Sequence, residues 1–210
     1  ETGSKLTSFL FREMGKYERF PVALGGLTNL EHLNLQKNSF MNKAIPEGLF
    51  QNLTKLRTLN LERCQLAGPI PAGISTLSNL VSLDLRYNDF VGPIPQGLSQ
   101  LTKLSELHIG GSPRLTGSFG EHITALTGLK EINYFNTSSM HGSFPVSITR
   151  LAALTTLIWE SQPGTNGTIS ARIGALTNLD ELRIRGLRDL SGTIPDSIGD
   201  IERLKTMDFG

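Results

Sequence analysis

Apolar residues recur along this chain in one spacing from Leu6 to Phe209. Each unit opens with an apolar residue, and further apolar residues follow three, six and eight positions later. The opening residues stand 24 to 26 positions apart, at Leu27, Leu53, Leu77, Leu101, Leu126, Leu151, Leu176 and Ile201. A fixed period of this length predicts a stack of equivalent structural units.

The polar positions between these residues predict a short strand in every unit. In LEHLNL, Leu33 and Leu35 alternate with the polar Asn34, which is the period-two signature of a strand with one buried face. One such strand cannot bury its apolar face alone. Equivalent strands stacked in parallel about 4.8 Å apart would align their leucines into one continuous core.

The segment that returns to the next strand is also patterned, most clearly in GPIPAGISTL at residues 68–77. Gly68 permits a backbone conformation that other residues avoid, and Pro71 stiffens the turn. We expect Ile70 and Ile74 to point back into the core. Each unit is therefore predicted to form one coil.

The full unit reads LxxLxLxxNxLxGxIPxxLxxL, and residues 77–101, LSNLVSLDLRYNDFVGPIPQGLSQL, follow it almost without deviation. This pattern resembles the plant-type leucine-rich repeat of receptor kinases, receptor-like proteins and polygalacturonase-inhibiting proteins. The resemblance implies an α/β solenoid, a right-handed superhelix of about eight repeats with a parallel strand strip on its concave face. It also implies an ectodomain or secreted protein that recognises ligands, usually on the strand face.

We predict a single leucine-rich-repeat domain over residues 4–210. Glu1, Thr2 and Gly3 resemble the remnant that a secretion vector leaves, and we exclude them from the fold. Proteins of the resembling family usually carry cysteine-paired caps, whereas Cys64 is the single cysteine here. We therefore expect a domain truncated at both ends, whose apolar ends favour end-to-end self-association.

The corner after each strand changes along the sequence. Asparagine stands there as Asn38 and Asn88, with Cys64 between them, but the later units read GGSPRL, FNTSSM, ESQPGT and RGLRDL. This change predicts that the second half turns its corner differently. We expect Cys64 to be a buried, unreactive thiol. Trp159 takes a strand leucine position and is predicted to fill the core.

The composition argues against several classes of function. Hydrophobic residues make up 38% and charged residues 19% of the chain, and the formal net charge is +1. This balance favours neither nucleic-acid binding nor contact with a membrane surface. The sequence contains no phosphate-binding loop, zinc-spaced histidine pair or nucleophile elbow, so we predict no enzymatic activity, cofactor or metal.

Three glycosylation sequons favour a secreted or cell-surface protein. They begin at Asn52, Asn136 and Asn166. We expect Asn136 and Asn166 to lie on exposed turns and to carry glycans. Asn52 is expected to be partly or wholly skipped, because Leu53 beside it must point inward.

The outward positions of the strands form the predicted ligand-binding surface. Phe135 and Ile158 are apolar, lie on adjacent strands among charged residues, and are expected within about 5 to 8 Å of one another. Apolar groups inside a charged rim are typical of recognition surfaces, although one or two exposed apolar residues are also ordinary. The candidate ligand-binding residues are Arg86, Tyr87, His108, Glu131, Asn133, Phe135, Ile158, Glu160, Arg183 and Arg185.

These features predict an extracellular recognition module that binds a peptide or protein on its concave strand face, as in a receptor ectodomain. A co-receptor is a further expected partner. Two alternatives stay open: a secreted inhibitor of a cell-wall hydrolase, and an adhesive or structural spacer.

Overall fold

The computed structural model describes residues 5–17, 20–40, 43–119, 123 and 125–210. The predicted vector remnant at residues 1–3 lies outside the described residues. The strands of the described part are β1 (Ser8–Leu10), β2 (Gly15–Lys16), β3 (His32–Asn34), β4 (Asn38–Ser39), β5 (Thr58–Asn60), β6 (Ala67–Gly68), β7 (Ser82–Asp84), β8 (Asp89–Pro93), β9 (Glu106–Gly110), β10 (Arg114–Thr116), β11 (Glu131–Phe135), β12 (His141–Ser143), β13 (Thr156–Glu160), β14 (Gly164–Gly167), β15 (Glu181–Arg185), β16 (Asp189–Leu190) and β17 (Thr206–Asp208).

The odd-numbered strands form one parallel sheet of nine strands, in the order β1-β3-β5-β7-β9-β11-β13-β15-β17. Its register places equivalent leucine positions side by side: Phe9 pairs with Leu33, and Leu33 pairs with Leu59. The inward side chains are buried, with Leu33 fully so and Leu59 only 1% exposed. The predicted solenoid is confirmed, and its first coil includes the unusual opening sequence around Phe9.

The even-numbered strands form short parallel sheets along a second side of the solenoid, β10-β8-β6, β12-β14-β16 and β2-β4. The third side holds the 3-10 helices of the described residues, at Val22–Gly26, Ala72–Thr76, Gln96–Gln100, Val146–Arg150, Ala171–Ala175 and Asp196–Asp200. Most of these helices follow a proline, and they send one aliphatic side chain, such as Ile74 or Leu98, into the core. Each coil thus has one face of strands and one of helical turns.

Two corners of the coil have left-handed backbone. The first lies at most three residues after the end of the strand in eight successive coils, with φ from 47° to 67° at Glu13, Lys37, Arg63, Tyr87, Gly111, Asn136, Ser161 and Gly186. The second precedes the helical side, with φ from 77° to 122° at Gly68, Gly92, Gly117, Gly142, Gly167 and Gly192. Glycine accepts this conformation most readily, and it fills all six of these second corners.

The prediction that the second half turns its corner differently holds for the residues after the corner but not for the left-handed residue itself. In the second half the next residues form a backbone turn, such as Leu115 N–H to the carbonyl of Ser112, and one more residue separates the two corners. Gly111, Asn136, Ser161 and Gly186 adopt the same left-handed conformation as Lys37 and its equivalents. The strands differ as well, because β9, β11, β13 and β15 each have five residues, whereas β3, β5 and β7 have three. Pairing in the second half therefore extends to the residue before the corner.

A column of buried polar side chains holds this corner together from coil to coil. The amide of Asn88 accepts from the backbone N–H groups of the preceding coil and donates to carbonyl groups of both coils, with distances of 2.8 to 3.2 Å to Leu61, Cys64, Leu66, Leu85 and Arg86. In the second half Ser112, Thr137 and Gln162 occupy the equivalent positions, each at most 1% exposed. Thr137 Oγ1 donates to Gln162 Oε1 over 2.7 Å, and Ser112 Oγ donates to the carbonyl of Asn88.

Two predictions about single residues of the core are confirmed. Trp159 is 3% exposed and packs against Phe119, Tyr134 and Phe144, with ring centroids 4.7 to 5.5 Å away. Cys64 is fully buried, and its thiol donates to the carbonyl of Leu35. Burial raises the pKa of the Cys64 thiol to about 12.

Replacing Asn88 with alanine should lower the free energy of unfolding by about 3 kcal/mol or more, because several buried backbone groups lose their partner together. Urea unfolding of the wild type and of Asn88→Ala measures this loss. The matched control is Asn178→Ala, where an exposed amide makes one hydrogen bond to the carbonyl of Ala152. Equal losses in the two variants would contradict a special role for the buried column.

Cys64 should resist alkylation in the folded protein at pH 8. Iodoacetamide reacts with the thiolate, which burial suppresses at this pH. Mass spectrometry should show no adduct on the native protein and complete modification in denaturant. Rapid modification of the native protein would show that the corner around Cys64 opens readily.

Candidate ligand-binding face

The outward side chains of the nine-stranded sheet form a continuous surface, which we call the strand face. On β11, Glu131, Asn133 and Phe135 point outward, while the alternate residues are buried. The register then places Asn133 beside Ile158 on β13, and Ile158 beside Arg183 on β15. The structure therefore brings the predicted candidates of β9 to β15 onto one surface, as the alternation in the sequence requires.

Basic residues of the strand face are already paired with acids of the same face. Arg86 donates from Nε and Nη2 to the two carboxylate oxygens of Asp84, at 3.0 and 2.6 Å. Arg183 lies 2.7 Å from Glu181 Oε1. Arg185 lies 3.5 Å from Asp208 Oδ2. The pairs of Arg183 and Arg185 are partly exposed, so an incoming anion can compete for these guanidinium groups at modest cost. Asp84 is buried and holds Arg86 with two hydrogen bonds, so Arg86 is less available.

His108 lies among four acidic or amide groups near the centre of the strand face. It is beside Asp84 on β7 and Asn133 on β11, and its Nε2 is 3.9 Å from Glu131 Oε2. The fourth group is Glu106 of its own strand, whose charge also acts on the imidazole. Burial lowers the pKa of His108, although the nearby carboxylates oppose this effect. His108 Nδ1 and Asn133 Oδ1 are both buried and have no hydrogen-bond partner among the described residues.

The ring of Phe135 makes a contact that the sequence did not predict. Its ring lies against Gly110 of β9 and meets the ring of Tyr87, with centroids 5.2 Å apart and planes tilted by 58°. Ile158 lies on the opposite side of β11, beside Asn133, while the register partner of Phe135 on that side is Glu160. The apolar centre of the face is therefore an aromatic pair that spans coils, and Ile158 lies on the other side of β11 from this pair.

Arg63 was missed by the sequence reasoning. Its guanidinium carbon lies 4.5 Å from the centroid of the Tyr87 ring, a favourable cation–π geometry. Arg63 and Tyr87 occupy the same left-handed corner in adjacent coils. The repeat spacing in the sequence already places Arg63 and Tyr87 at equivalent positions of adjacent coils, so their proximity could have been predicted.

The three sequons lie on different sides of the solenoid. Asn136 is exposed at the corner directly after β11, and Asn166 is exposed on β14, where its Oδ1 accepts from Ser143. Asn52 is also exposed and lies in the helical turns opposite the strand face. Leu53 beside it is fully buried, as expected.

The described residues offer no group of three or more metal-ligating side chains, and they form no helix that is both long and apolar enough to cross a bilayer. The strand face is thus composed of aromatic, amide and ion-paired groups, which recognise ligands by packing and hydrogen bonding.

Comparison with known proteins identifies the repeat. A family model described as leucine rich repeat matches residues 20–66, and a second one matches residues 79–101. A probable inactive receptor kinase of Arabidopsis thaliana is 58% identical over 36 residues, which are 17% of this chain and 6% of that protein.

Solved structures extend the likeness to nearly the whole chain. The plant peptide hormone receptor RGFR1, in complex with RGF2, is 31% identical with a TM-score of 0.87, over 97% of this chain and 32% of the receptor chain. The leucine-rich-repeat ectodomain of the receptor kinase GASSHO1/SCHENGEN3 from Arabidopsis thaliana, in complex with CASPARIAN STRIP INTEGRITY FACTOR 2, is 30% identical with a TM-score of 0.86. That match covers 94% of this chain and 23% of the ectodomain chain.

The chain spans about a third or less of the length of these receptor structures. Over its own length it is similar to part of the leucine-rich-repeat ectodomain of a receptor kinase. The residue pattern, the parallel coils and these matches agree: the chain is a leucine-rich-repeat solenoid that is similar to plant receptor ectodomains.

Proposed function

We propose that this chain is a ligand-recognition module of a receptor ectodomain, and that it binds a peptide or protein partner on the strand face. One observation carries this proposal: the Tyr87–Phe135 aromatic pair lies among charged side chains on a surface built by a rigid sheet, and Ile158 adds an outward apolar side chain on the next strand. Aromatic groups contribute buried area, while a charged rim orients the partner.

The distribution of charge favours a partner that carries separated charges. Glu106 and Glu131 are neighbours in the register at one end of the candidate site. Arg183 and Arg185 lie on β15 at the other end. A peptide with a basic group, an apolar group and an acidic group in that order would match this surface better than a neutral sugar.

The comparisons support a receptor more than the alternatives. Both of the receptor structures described above are complexes with a partner, RGF2 in one and CASPARIAN STRIP INTEGRITY FACTOR 2 in the other. An adhesive spacer is less favoured, because it does not explain the aromatic pair within the charged surface. An inhibitor of a cell-wall hydrolase would use such a surface too, and it is less favoured because the similar structures described above are those of receptors. A co-receptor, end-to-end self-association and an extracellular location stay predictions.

Replacing Phe135 or Arg183 with alanine should weaken partner binding by about 1 kcal/mol or more, since central anchors contribute most of the binding energy. The probe is a displayed library of random peptides, selected on the immobilised wild-type chain. The dissociation constants of synthetic copies of the selected peptides are then measured by calorimetry with each variant.

Gln100→Ala is the matched control, because Gln100 is exposed on a helical turn opposite the strand face. Glu121, which the repeat pattern predicts to lie away from the strand face, is outside the described residues. Peptides that bind Phe135→Ala and Arg183→Ala as tightly as the wild type, but bind Gln100→Ala less tightly, would move the binding site off the strand face.

Asn136 and Asn166 should carry glycans when the protein is made in a eukaryotic secretory host, because both side chains are exposed, as are the sequon hydroxyl residues Ser138 and Thr168. Asn52 should be partly or wholly unmodified. Intact mass before and after glycosidase treatment, with Asn136→Gln and Asn166→Gln as controls, measures the occupancy of each site.

A glycan on Asn136 would stand beside Phe135, so the partner would approach from the rim that bears Glu131 and Glu181. Unmodified Asn136 and Asn166 would remove the main support for an extracellular location.

A further inference from the structure

The coil of β9 lacks side chains at two consecutive positions, and its neighbours fill the space. A Cβ atom on Gly110 would lie 2.5 Å from two ring carbons of Phe135. A Cβ atom on Gly111 would lie 2.9 Å from Cδ1 of Tyr87. Both distances are too short for real contacts. The rings of Phe135 and Tyr87 therefore meet because this coil ends in two glycines.

Arg63, Tyr87 and Phe135 form a continuous row across four coils, which we call the aromatic bridge. The guanidinium carbon of Arg63 lies 4.5 Å from the centroid of the Tyr87 ring, and that centroid is 5.2 Å from the centroid of Phe135. Tyr87 remains 43% exposed. The bridge thus presents aromatic surface to solvent at the edge where the strands end.

The fold does not require an aromatic residue at the position of Tyr87. Its φ is 56°, a conformation that is unfavourable for a bulky side chain. The equivalent corners of other coils hold Lys37, Ser161 and Gly186 with similar backbone. The backbone is the same in all of these coils, so only the side chain sets Tyr87 apart. An exposed aromatic side chain where lysine, serine or glycine suffices points to a role in recognition.

A depression beside Tyr87 gives the bridge a polar border. It is lined by Gln65, Tyr87, Asn88, Asp89 and Gly111. Asp89 forms an exposed ion pair with Arg114, and Gln65 accepts a hydrogen bond from Ser39. A planar group placed against Tyr87 would therefore have aromatic carbon on one side and polar groups at its edge.

We propose that the aromatic bridge is a specificity subsite that binds an aromatic side chain of the peptide partner. The proposal rests on the proposed function and assigns a particular chemistry to one part of the same face. Because Tyr87 and Phe135 are tilted by 58°, they offer the negative face of one ring next to the positive edge of the other. A third aromatic ring complements both, whereas an aliphatic side chain of similar size gains only burial.

The test uses the same library of random peptides, selected in parallel on the wild-type chain and on Tyr87→Gly. The wild type should select peptides with an aromatic residue at one fixed position, and Tyr87→Gly should lose that preference. Glycine suits the left-handed backbone, so Tyr87→Gly should fold and melt at or above the wild-type temperature. Ser161→Gly is the matched control, since it makes the same backbone change at an equivalent exposed corner without removing a ring.

A second variant displaces the bridge without removing either ring. Gly110→Ala should push the Phe135 ring away from Tyr87, because the added methyl group overlaps the ring. Gly26→Ala is its control, with no atom near the added methyl group. A selected aromatic peptide should bind Tyr87→Gly and Gly110→Ala about tenfold more weakly than the wild type, as expected for the loss of ring contacts.

A peptide copy with leucine in place of the aromatic residue completes a double-mutant cycle. It should bind the wild type about tenfold more weakly, and Tyr87→Gly should weaken it little further, because the two changes remove one contact. Selected peptides with no aromatic preference, or a preference that persists in Tyr87→Gly, would overturn the subsite and leave the proposed function standing. If the wild type selects no peptides at all, both proposals fall.

Discussion

The corner after each strand is the constraint on which the rest of the structure depends. There the chain leaves the sheet with left-handed backbone, and its N–H and C=O groups turn into the interior, where water cannot satisfy them. A buried side chain must therefore pair with them. Asn88 does this for two coils at once, because its amide both accepts and donates across the boundary. Stacking is thus fixed by directional hydrogen bonds as well as by the burial of leucines.

This constraint also positions the strand face. Since each coil is locked to the next at the corner, the strands cannot slip, and the register repeats from β1 to β17. Outward residues then form straight columns at the spacing of paired strands. The row of Asp84, His108 and Asn133 is one result, and the ion pairs of Arg86 and Arg183 with residues of their own strands are another. A partner therefore meets side chains whose directions are largely set before it binds.

The period and the strand alternation were enough to predict the fold, and they assigned Leu33, Cys64 and Trp159 to the interior correctly. The polar column of the second half could not be predicted from an asparagine motif. Ser112, Thr137 and Gln162 differ from asparagine in size, yet they also bond between coils: Ser112 Oγ donates to the carbonyl of Asn88, and Gln162 Oε1 accepts from the N–H and the hydroxyl of Thr137. The position thus keeps a buried polar side chain although the residue type changes.

The candidate surface was predicted residue by residue, but its central contact was not. Alternation shows that Phe135 and Ile158 point outward from adjacent strands. It does not show in which direction the Phe135 ring leans, because that depends on side chains that are missing from Gly110 and Gly111. The contact of Tyr87 with Arg63 depends likewise on two corners that share a backbone conformation. Such contacts between two side chains depend on the space that a small neighbouring residue leaves open. The alternation of apolar and polar residues in the sequence does not give this information.

The first corner also influences how the strand face can change during evolution. Its outward position holds glutamate, lysine, arginine, tyrosine, glycine, asparagine and serine in successive coils, all with φ between 47° and 67°. The buried residue that follows makes the contacts between coils, so the exposed residue can be replaced without loss of these contacts. A residue other than glycine costs about 1 to 2 kcal/mol at this position, the usual penalty of left-handed backbone. Duplicated genes of this kind can therefore acquire new ligands through changes in a single column, one coil at a time, while their solenoids stay superimposable.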